Sequence, residues 1–446
     1  MKTPIADFVR RYAEGGTARL HMPGHKGHGP LGCEALDLTE IRGADDLFSP
    51  DGIIAESERN AAALFGSGAT LYSTEGATLP IKAMLAIVAQ NAPKNGKRVR
   101  ILAARNAHKS FLYGCALLDL EVDWLYGKEA AHLCSCVLEA EDVEAALKRA
   151  DTPYAAVYVT SPDYLGQIQD IASIATVCKR YGVPLLADNA HGAYLAFTAP
   201  VCHPIALGAT MCADSAHKTL PVLTGGAYLH IAKDAPQAFF DGARQAMAMF
   251  ASSSPSYLLL QSLDLCNRYL AEEFPAALAA CTARVARLKE RLTSVGYELL
   301  GDEPLKLTVD GRARGLDGAA LASALREGGV EPEFCDKDCV VLMCTPQTTE
   351  EELSRVATAL VSLPVREKTQ KTRTVMAHNA EKVLSIRTAM LSANERIHVQ
   401  SAEGRICATP CVSCPPAIPI AVSGERITRE HVALFEAYGI ESIYVV

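Results

Sequence analysis

Residues 183–193 read Val-Pro-Leu-Leu-Ala-Asp-Asn-Ala-His-Gly-Ala, and residues 215–227 read Ser-Ala-His-Lys-Thr-Leu-Pro-Val-Leu-Thr-Gly-Gly-Ala. The first stretch is an apolar run of strand length that ends on a carboxylate. Strands covered on both faces carry such unbroken apolar runs. Lys218 follows Asp188 by 30 residues, an interval that one strand–helix–strand repeat can occupy. That spacing predicts both side chains at the carboxyl edge of a parallel sheet, where ligands of open α/β folds bind. A lone lysine is usually a surface residue, and an aspartate after a strand is often only a cap. The pairing, with His191-Gly192-Ala193 directly after the aspartate, favours a cofactor role.

The pattern extends outward from this stretch. Upstream, helices are predicted over Thr78–Ala89, Ser110–Leu118, Ala140–Lys148 and Ile171–Tyr181. Strands are predicted over Arg98–Ala103, Leu120–Leu125, Ala155–Thr160 and Val183–Ala187, with a strand-like approach at Ala209–Ala213. Such alternation implies a parallel sheet with helices on both faces. Ser161 and His191 fall just past strand ends. Residues 258–294 read as a long helical connector, and residues 297–363 alternate strand and helix again, with an apolar strand at Val340–Met343. The charged run 364–373 reads as a linker, and a last strand is predicted at Ser442–Val446. The first 60 residues are rich in Gly, His and Asp and read as an extended arm lying on a partner subunit.

Composition excludes several classes. The 446 residues are 49% hydrophobic and 21% charged with a net charge of -8, which fits a globular protein and gives no basic face for nucleic acid. No run approaches the ~18 apolar residues of a membrane span. The N-terminal segment lacks the apolar core of a secretory signal, so a cytoplasmic location is expected. Of 15 cysteines, Cys407, Cys411 and Cys414 cluster, as do Cys335 and Cys339. Pro410, Pro415 and Pro416 suit a rigid loop there equally well, so no metal is expected.

Pyridoxal phosphate (PLP) chemistry needs a lysine, a carboxylate that keeps the pyridine nitrogen protonated, a flat group on the ring face and a phosphate cradle. Lys218 and Asp188 match the first two needs. The segment Ser73-Thr-Glu-Gly76-Ala77-Thr78 opens a helix, whose N-terminus attracts anions, although Ser or Thr there is also an ordinary cap. His108 begins another helix after a strand and is a candidate to stack on the ring.

Together these segments resemble the Orn/Lys/Arg decarboxylase family of fold-type I PLP enzymes, in its shorter branch. The resemblance rests on HMPGHKG (21–27), ARNAHKS (104–110), TSPDYLG (160–166), ADNAHGA (187–193), SAHKTLPVLTGGA (215–227), SSSPSY (252–257), Asp302-x-Pro-Leu-Lys306 and CPPAIP (414–419), in family order. It implies an α/β fold with a mixed, mostly parallel sheet in the large domain and smaller α/β domains after it. The implied domains are an arm at 1–60, a PLP-binding large domain at 61–280, a small domain at 281–363 and a C-terminal domain at 364–446.

The resemblance also implies roles. Lys218 carries the Schiff base, Asp188 pairs with the pyridine nitrogen and His108 stacks on the ring. Gly76, Ala77, Thr78, Ser215 and His217 surround the phosphate, with Ser252 or Ser253 reaching it from a second subunit. Ser161 and His191 complete the cofactor contacts. His217 is a further candidate as proton donor. Glu333, Asp336 and His25 are candidates for substrate contact. The implied activity is decarboxylation of arginine, lysine or ornithine by a homodimer or higher oligomer, with a place in polyamine biosynthesis. Another PLP reaction (transamination or carbon–sulfur lysis) or a non-catalytic PLP-binding relative stands as the alternative. The sequence departs from the family pattern at Glu75 and Ala77 in the phosphate loop, at Asn189, at Ala216 and in the Cys414-Pro-Pro-Ala417 turn.

Overall fold

The computed structural model describes residues 1–93, 96–127, 132–366, 380–410 and 417–446. The chain forms two compact units, one from Met1–Pro93 with Pro184–Ala276, the other from Lys94–Val183 with Ala277–Val446. The central strands in chain order are β1 (Ala69–Ser73), β2 (Arg100–Ala104), β3 (Glu121–Leu125), β4 (Ala156–Thr160), β5 (Leu185–Asp188), β6 (Met211–Asp214) and β7 (Ala227–Ile231).

In the first unit the order is β1-β7-β6-β5. There β5 runs parallel to β6, and β7 runs antiparallel to β6 and to β1. In the second unit β4, β2 and β3 lie in that order, all parallel. The parallel pairing read from the strand–helix alternation is therefore present among β2 to β6, and the antiparallel β7 makes the sheet mixed, as the family resemblance implied. Every residue of β5, β6 and β7 is buried, which is why these strands read as continuous apolar runs rather than alternating ones.

Local signals set the helix boundaries. Ile171–Tyr181 begins where Asp170 accepts the amide of Ser173, and ends at Gly182 in the left-handed region. The helical stretch expected over 258–294 is two helices, Tyr257–Glu272 and Phe274–Ser294. They part at Glu273, and Pro275, lacking an N–H, sits in the first turn of the second, where no intrahelical donor is needed.

The second unit adds β8 (Glu298–Leu300), β9 (Lys306–Asp310), β10 (Phe334–Cys335) and β11 (Cys339–Met343), an antiparallel sheet in the order β10-β11-β9-β8. A further antiparallel pair joins β12 (Glu395–His398) to β13 (Ser442–Val445). Leu165, Val341, Val399, Cys407, Phe435 and Ile443 belong to one apolar core in this unit. Most of the linker expected at 364–373, and Cys411 and Cys414, lie outside the described residues.

The expectation of an extended run over the first 60 residues is corrected. Pro4–Glu14 is a helix and Ile53–Phe65 is another. The first has only Ile5, Ala6 and Val9 as its buried stripe, too narrow to stand out among polar neighbours. Tertiary contacts supply the rest: Asp264 Oδ2 accepts the amides of Ile5 and Ala6 at 2.9 and 3.0 Å and so caps the helix from another element. Among the described residues no helix is long and apolar enough to cross a membrane.

Candidate active site

In the first unit, β5 ends on Asp188, which is buried at the sheet edge and accepts the amide of Ala190 at 3.2 Å. The chain then turns: Asn189 N donates to Ala213 O on β6, and Gly192 N donates to Asn189 O. This turn presents His191. Its Nε2 lies 3.0 Å from Lys218 Nζ, so two residues that the sequence placed after successive strands meet. Lys218 occupies a single helical turn, Ala216–Thr219, entered through the buried Ser215.

His217 is fixed by Gly226, whose carbonyl accepts both its amide and its Nδ1–H, at 3.1 and 3.0 Å. That bond sets the tautomer: Nδ1 carries the proton and Nε2 is bare in the neutral ring. Burial pushes the imidazole pKa down, the Gly226 bond opposes this, and the nearby Lys218 adds to the lowering.

The phosphate-loop candidates stand beside this turn. Gly76 N donates to Gly225 O at 2.7 Å, and Ser73 Oγ donates to Gly76 O at 3.0 Å. Gly76 has φ +64, and a methyl group on it would come 3.9 Å from His217 Cε1. Gly225 has φ +106, and a methyl group there would meet Thr74 O at 3.0 Å. Both positions need glycine for backbone conformation, and Gly225 needs it for close approach as well. The helix Thr78–Asn91 starts directly after, with Ala77 buried at its cap and no acidic side chain in its first turn. First-turn amides of a helix lack intrahelical acceptors, and such an end favours anions.

Glu75, which as a carboxylate would repel a phosphate, is otherwise engaged. It accepts the amide of Ser252 at 2.7 Å within the same chain. Ser252 and Ser253 are exposed. His25, also in this unit, pairs with Asp37 through Nε2 and accepts Gly27 N on Nδ1.

The second unit carries the other candidates. His108 caps the helix Lys109–Leu118, its Nδ1 accepting Ser110 N at 3.1 Å. Ser161 is buried and accepts Gln169 N. Glu333 is exposed and accepts Tyr164 OH at 2.6 Å. Asp336 is already spoken for: its Oδ2 lies 2.6 Å from His132 Nε2, and its Oδ1 accepts the amides of Asp338 and Cys339. Burial alone would raise its pKa, but His132 and those amides win and hold it at about 2.

Sequence reasoning missed two further groups. In the first unit His203, Asp214 and His230 converge in the core. In the second, Lys306 pairs with Glu303 at 2.9 Å and donates to Asp163 O, all three residues being buried. Glu303 and Lys306 are only three positions apart, but Asp163 lies 143 positions from Lys306, and His203 and His230 reach Asp214 from 11 and 16 positions away, so no local pattern announces either group. The one signal available was Asp302-x-Pro-Leu-Lys306 as a family segment.

The donor set in the first unit is one primary amine, one buried carboxylate, two imidazoles and a helix N-terminus behind a glycine turn. That set fits a phosphorylated pyridine aldehyde. It pairs amine with aldehyde, carboxylate with ring nitrogen and amides with phosphate.

Comparison with known proteins agrees. The solved lysine decarboxylase of Francisella novicida superposes with a TM-score of 0.80 at 16% identity, over 99% of this chain and 80% of that one. Lysine decarboxylase A of Pseudomonas aeruginosa gives 0.80 at 17% identity, over 98% and 76%. These likenesses define the fold as that of the fold-type I enzymes. The family model for the Orn/Lys/Arg decarboxylase major domain matches residues 3–299, and that for the C-terminal domain matches 365–438. The chain belongs to the Orn/Lys/Arg decarboxylase family, whose members are PLP-dependent amino-acid decarboxylases. A Bacillus subtilis protein named YaaO is 29% identical over 97% of this chain and 93% of its own length. An arginine decarboxylase of the same organism is 29% identical over 97% and 92%.

Proposed function

We propose that this protein decarboxylates a basic amino acid, arginine, lysine or ornithine, with pyridoxal 5'-phosphate carried covalently on Lys218. The observation that carries this reading is Lys218 Nζ, 3.0 Å from His191 Nε2, in the unit where the buried Asp188 ends β5. Relatives named arginine decarboxylase support the substrate class.

Each residue then has a task. Lys218 holds the cofactor through Nζ. Asp188 would pair with the pyridine nitrogen and favour its protonated form, as a buried carboxylate beside a cation does. The amides at Ala77 and Thr78, with Gly76, receive the phosphate, and Ser215 and His217 flank it. By the family resemblance His108 would stack on the ring, Ser161 and His191 would contact the cofactor, and Ser252 or Ser253 would reach the phosphate from a second subunit. When bound, the cofactor supplies the electron sink for the pair released as carbon dioxide leaves.

A proton must then reach the substrate carbon. His217 has its proton on Nδ1 facing Gly226 O, and burial disfavours the imidazolium. The Lys218 amine is therefore the better donor. A basic substrate also brings a distal cation. Of the acidic candidates named from the sequence, Asp336 is occupied by His132 and is set aside, while Glu333, which accepts only Tyr164 OH among the described residues, is retained. The reading makes the protein a cytoplasmic homodimer or higher homo-oligomer that acts in polyamine biosynthesis.

The test is incubation of the PLP-loaded protein with arginine, lysine and ornithine in turn, with mass-spectrometric detection of agmatine, cadaverine and putrescine. One of these amines is expected. Release of none of them removes the reading.

A further inference from the structure

On the reverse side of the first unit's sheet, opposite Asp188, a carboxylate is held by four donors. Side chains alternate along a strand, and Asp188 is in register with Ala213, so these two share a face. Cys212 and Asp214 therefore point the other way. Asp214 is fully buried. Its Oδ2 accepts His203 Nε2 at 2.9 Å and His230 Nε2 at 3.2 Å. Its Oδ1 accepts Asn189 Nδ2 at 2.7 Å and Cys212 Sγ at 3.2 Å.

The arrangement is a hydrogen-bonded anion rather than a metal site. Ile205 N donates to His203 Nδ1, so the His203 proton sits on Nε2, the atom aimed at Asp214. A ring protonated at Nε2 cannot use that atom as a metal ligand. His230 is held at its other end by Thr70 Oγ1, 2.8 Å from Nδ1, and Thr70 in turn meets Ser67. The two histidines lower the carboxyl pKa despite full burial, so the charge persists.

The short bond to Asn189 links this anion to the cofactor pocket. Asn189 directly follows Asp188, its amide is fixed to Ala213 O, and its carbonyl closes the turn that delivers His191 to Lys218. Asp214 also directly precedes Ser215, the entry to the Lys218 turn. One buried carboxylate thus bonds to the Asn189 turn and directly precedes the Lys218 turn in the chain.

We propose that Asp214 is a positioning residue for decarboxylation, acting through Asn189 on the turn that carries Asp188 and His191, with His203 and His230 fixing its orientation. The proposal rests on Lys218 carrying PLP, as argued above. Asp214 itself touches neither cofactor nor substrate.

The test compares wild type with Asp214→Asn, Asn189→Ala and the reciprocal swap Asn189→Asp/Asp214→Asn. The swap restores one carboxylate and one amide across the same gap. Three measurements are made on each full-length protein: kcat and KM, visible circular dichroism of the bound cofactor, and hydrogen exchange at residues 188–192. The first two variants should lower kcat by about tenfold to a hundredfold with little change in KM, since small misplacements at a reacting centre act on kcat. They should also alter the visible dichroism and speed exchange over 188–192, and the swap should recover most of each loss. Asn189→Ala leaves the His203–Asp214–His230 bonds intact, so it reports even where Asp214→Asn does not fold. A fall in melting temperature alone, with dichroism and kcat unchanged, overturns the proposal. So does a swap no better than Asp214→Asn, or a stoichiometric metal ion lost with Asp214. Borohydride trapping of the wild type separates the two readings: failure to label Lys218 sinks the cofactor assignment, whatever the Asp214 variants do.

Discussion

Lys218 and Asp188 sit where an apolar strand gives way to a polar turn, and that is why both were legible in the sequence. Asp336 was named as a substrate candidate, but its pairing with His132 was not legible: the partner lies 204 positions away, and no local pattern announces the pair. At this scale the central prediction concerns Lys218. Lys218→Ala should lower amine formation roughly a thousandfold or more, because loss of a covalent catalytic group is of that order. The measurement is single-turnover decarboxylation at saturating PLP. A second prediction concerns Ala417, which has φ +60. A side chain in the left-handed region costs ~1 kcal/mol, and glycine removes that cost. The carbonyl of Ala417 accepts the amide of Lys109, next to His108, so the conformation is held by a bond and should persist. Ala417→Gly should therefore raise the denaturant midpoint; a lowered midpoint would show that the left-handed backbone is not strained.

Elements add what single residues hide. The N-terminal helix Pro4–Glu14 went unread because its buried stripe is three residues wide and its capping carboxylate, Asp264, comes from a distant helix. Burial pushes the Asp264 pKa up to about 6, against the pull of Ser57 and the Ile5 and Ala6 amides. Burial likewise raises Asp163 to about 6, against Gln167 N and Lys306. An aspartate whose folded pKa exceeds the unfolded value of ~3.9 favours the neutral, protonated native state. Its contribution is greatest below the unfolded value and declines as pH rises through about 6. Stability from these two groups should thus fall between about pH 4 and 6, and Asp264→Asn should flatten part of that decline in urea titrations. An unchanged slope in that variant would contradict the assignment. The glycine turn makes a second element-scale prediction. Gly225→Ala must relieve a φ of +106 and a 3.0 Å approach to Thr74 O, a strain of ~1–3 kcal/mol. PLP affinity, read by absorbance titration, should weaken about tenfold or more.

For the whole molecule, the sheet pattern was readable because buried parallel strands are written as short apolar runs between turns. The units they build were not, since each is assembled from two separated stretches of chain. The first unit also leaves large apolar side chains on its surface: Leu20 is 94% exposed and Leu31 is 82% exposed. In a homodimer such exposed side chains would be covered by the second copy. Leu20→Lys with Leu31→Lys should then raise the dimer dissociation constant about tenfold or more, measured by sedimentation. A constant that does not move would place the contact elsewhere.

Arg105 shows what that discontinuity means while the protein is being made. Its guanidinium grips the carbonyls of Pro419 and Ile420, both at 2.9 Å and both more than 300 positions downstream. Domains close as the ribosome releases them, N-terminal parts first. The stretches needed for the first unit have all been released once Ala276 emerges, but Arg105 has no carbonyl to hold until translation has passed Ile420. Throughout that interval β2 lacks this tie at its carboxyl end, so a pause in elongation anywhere between those points should cost yield of native protein.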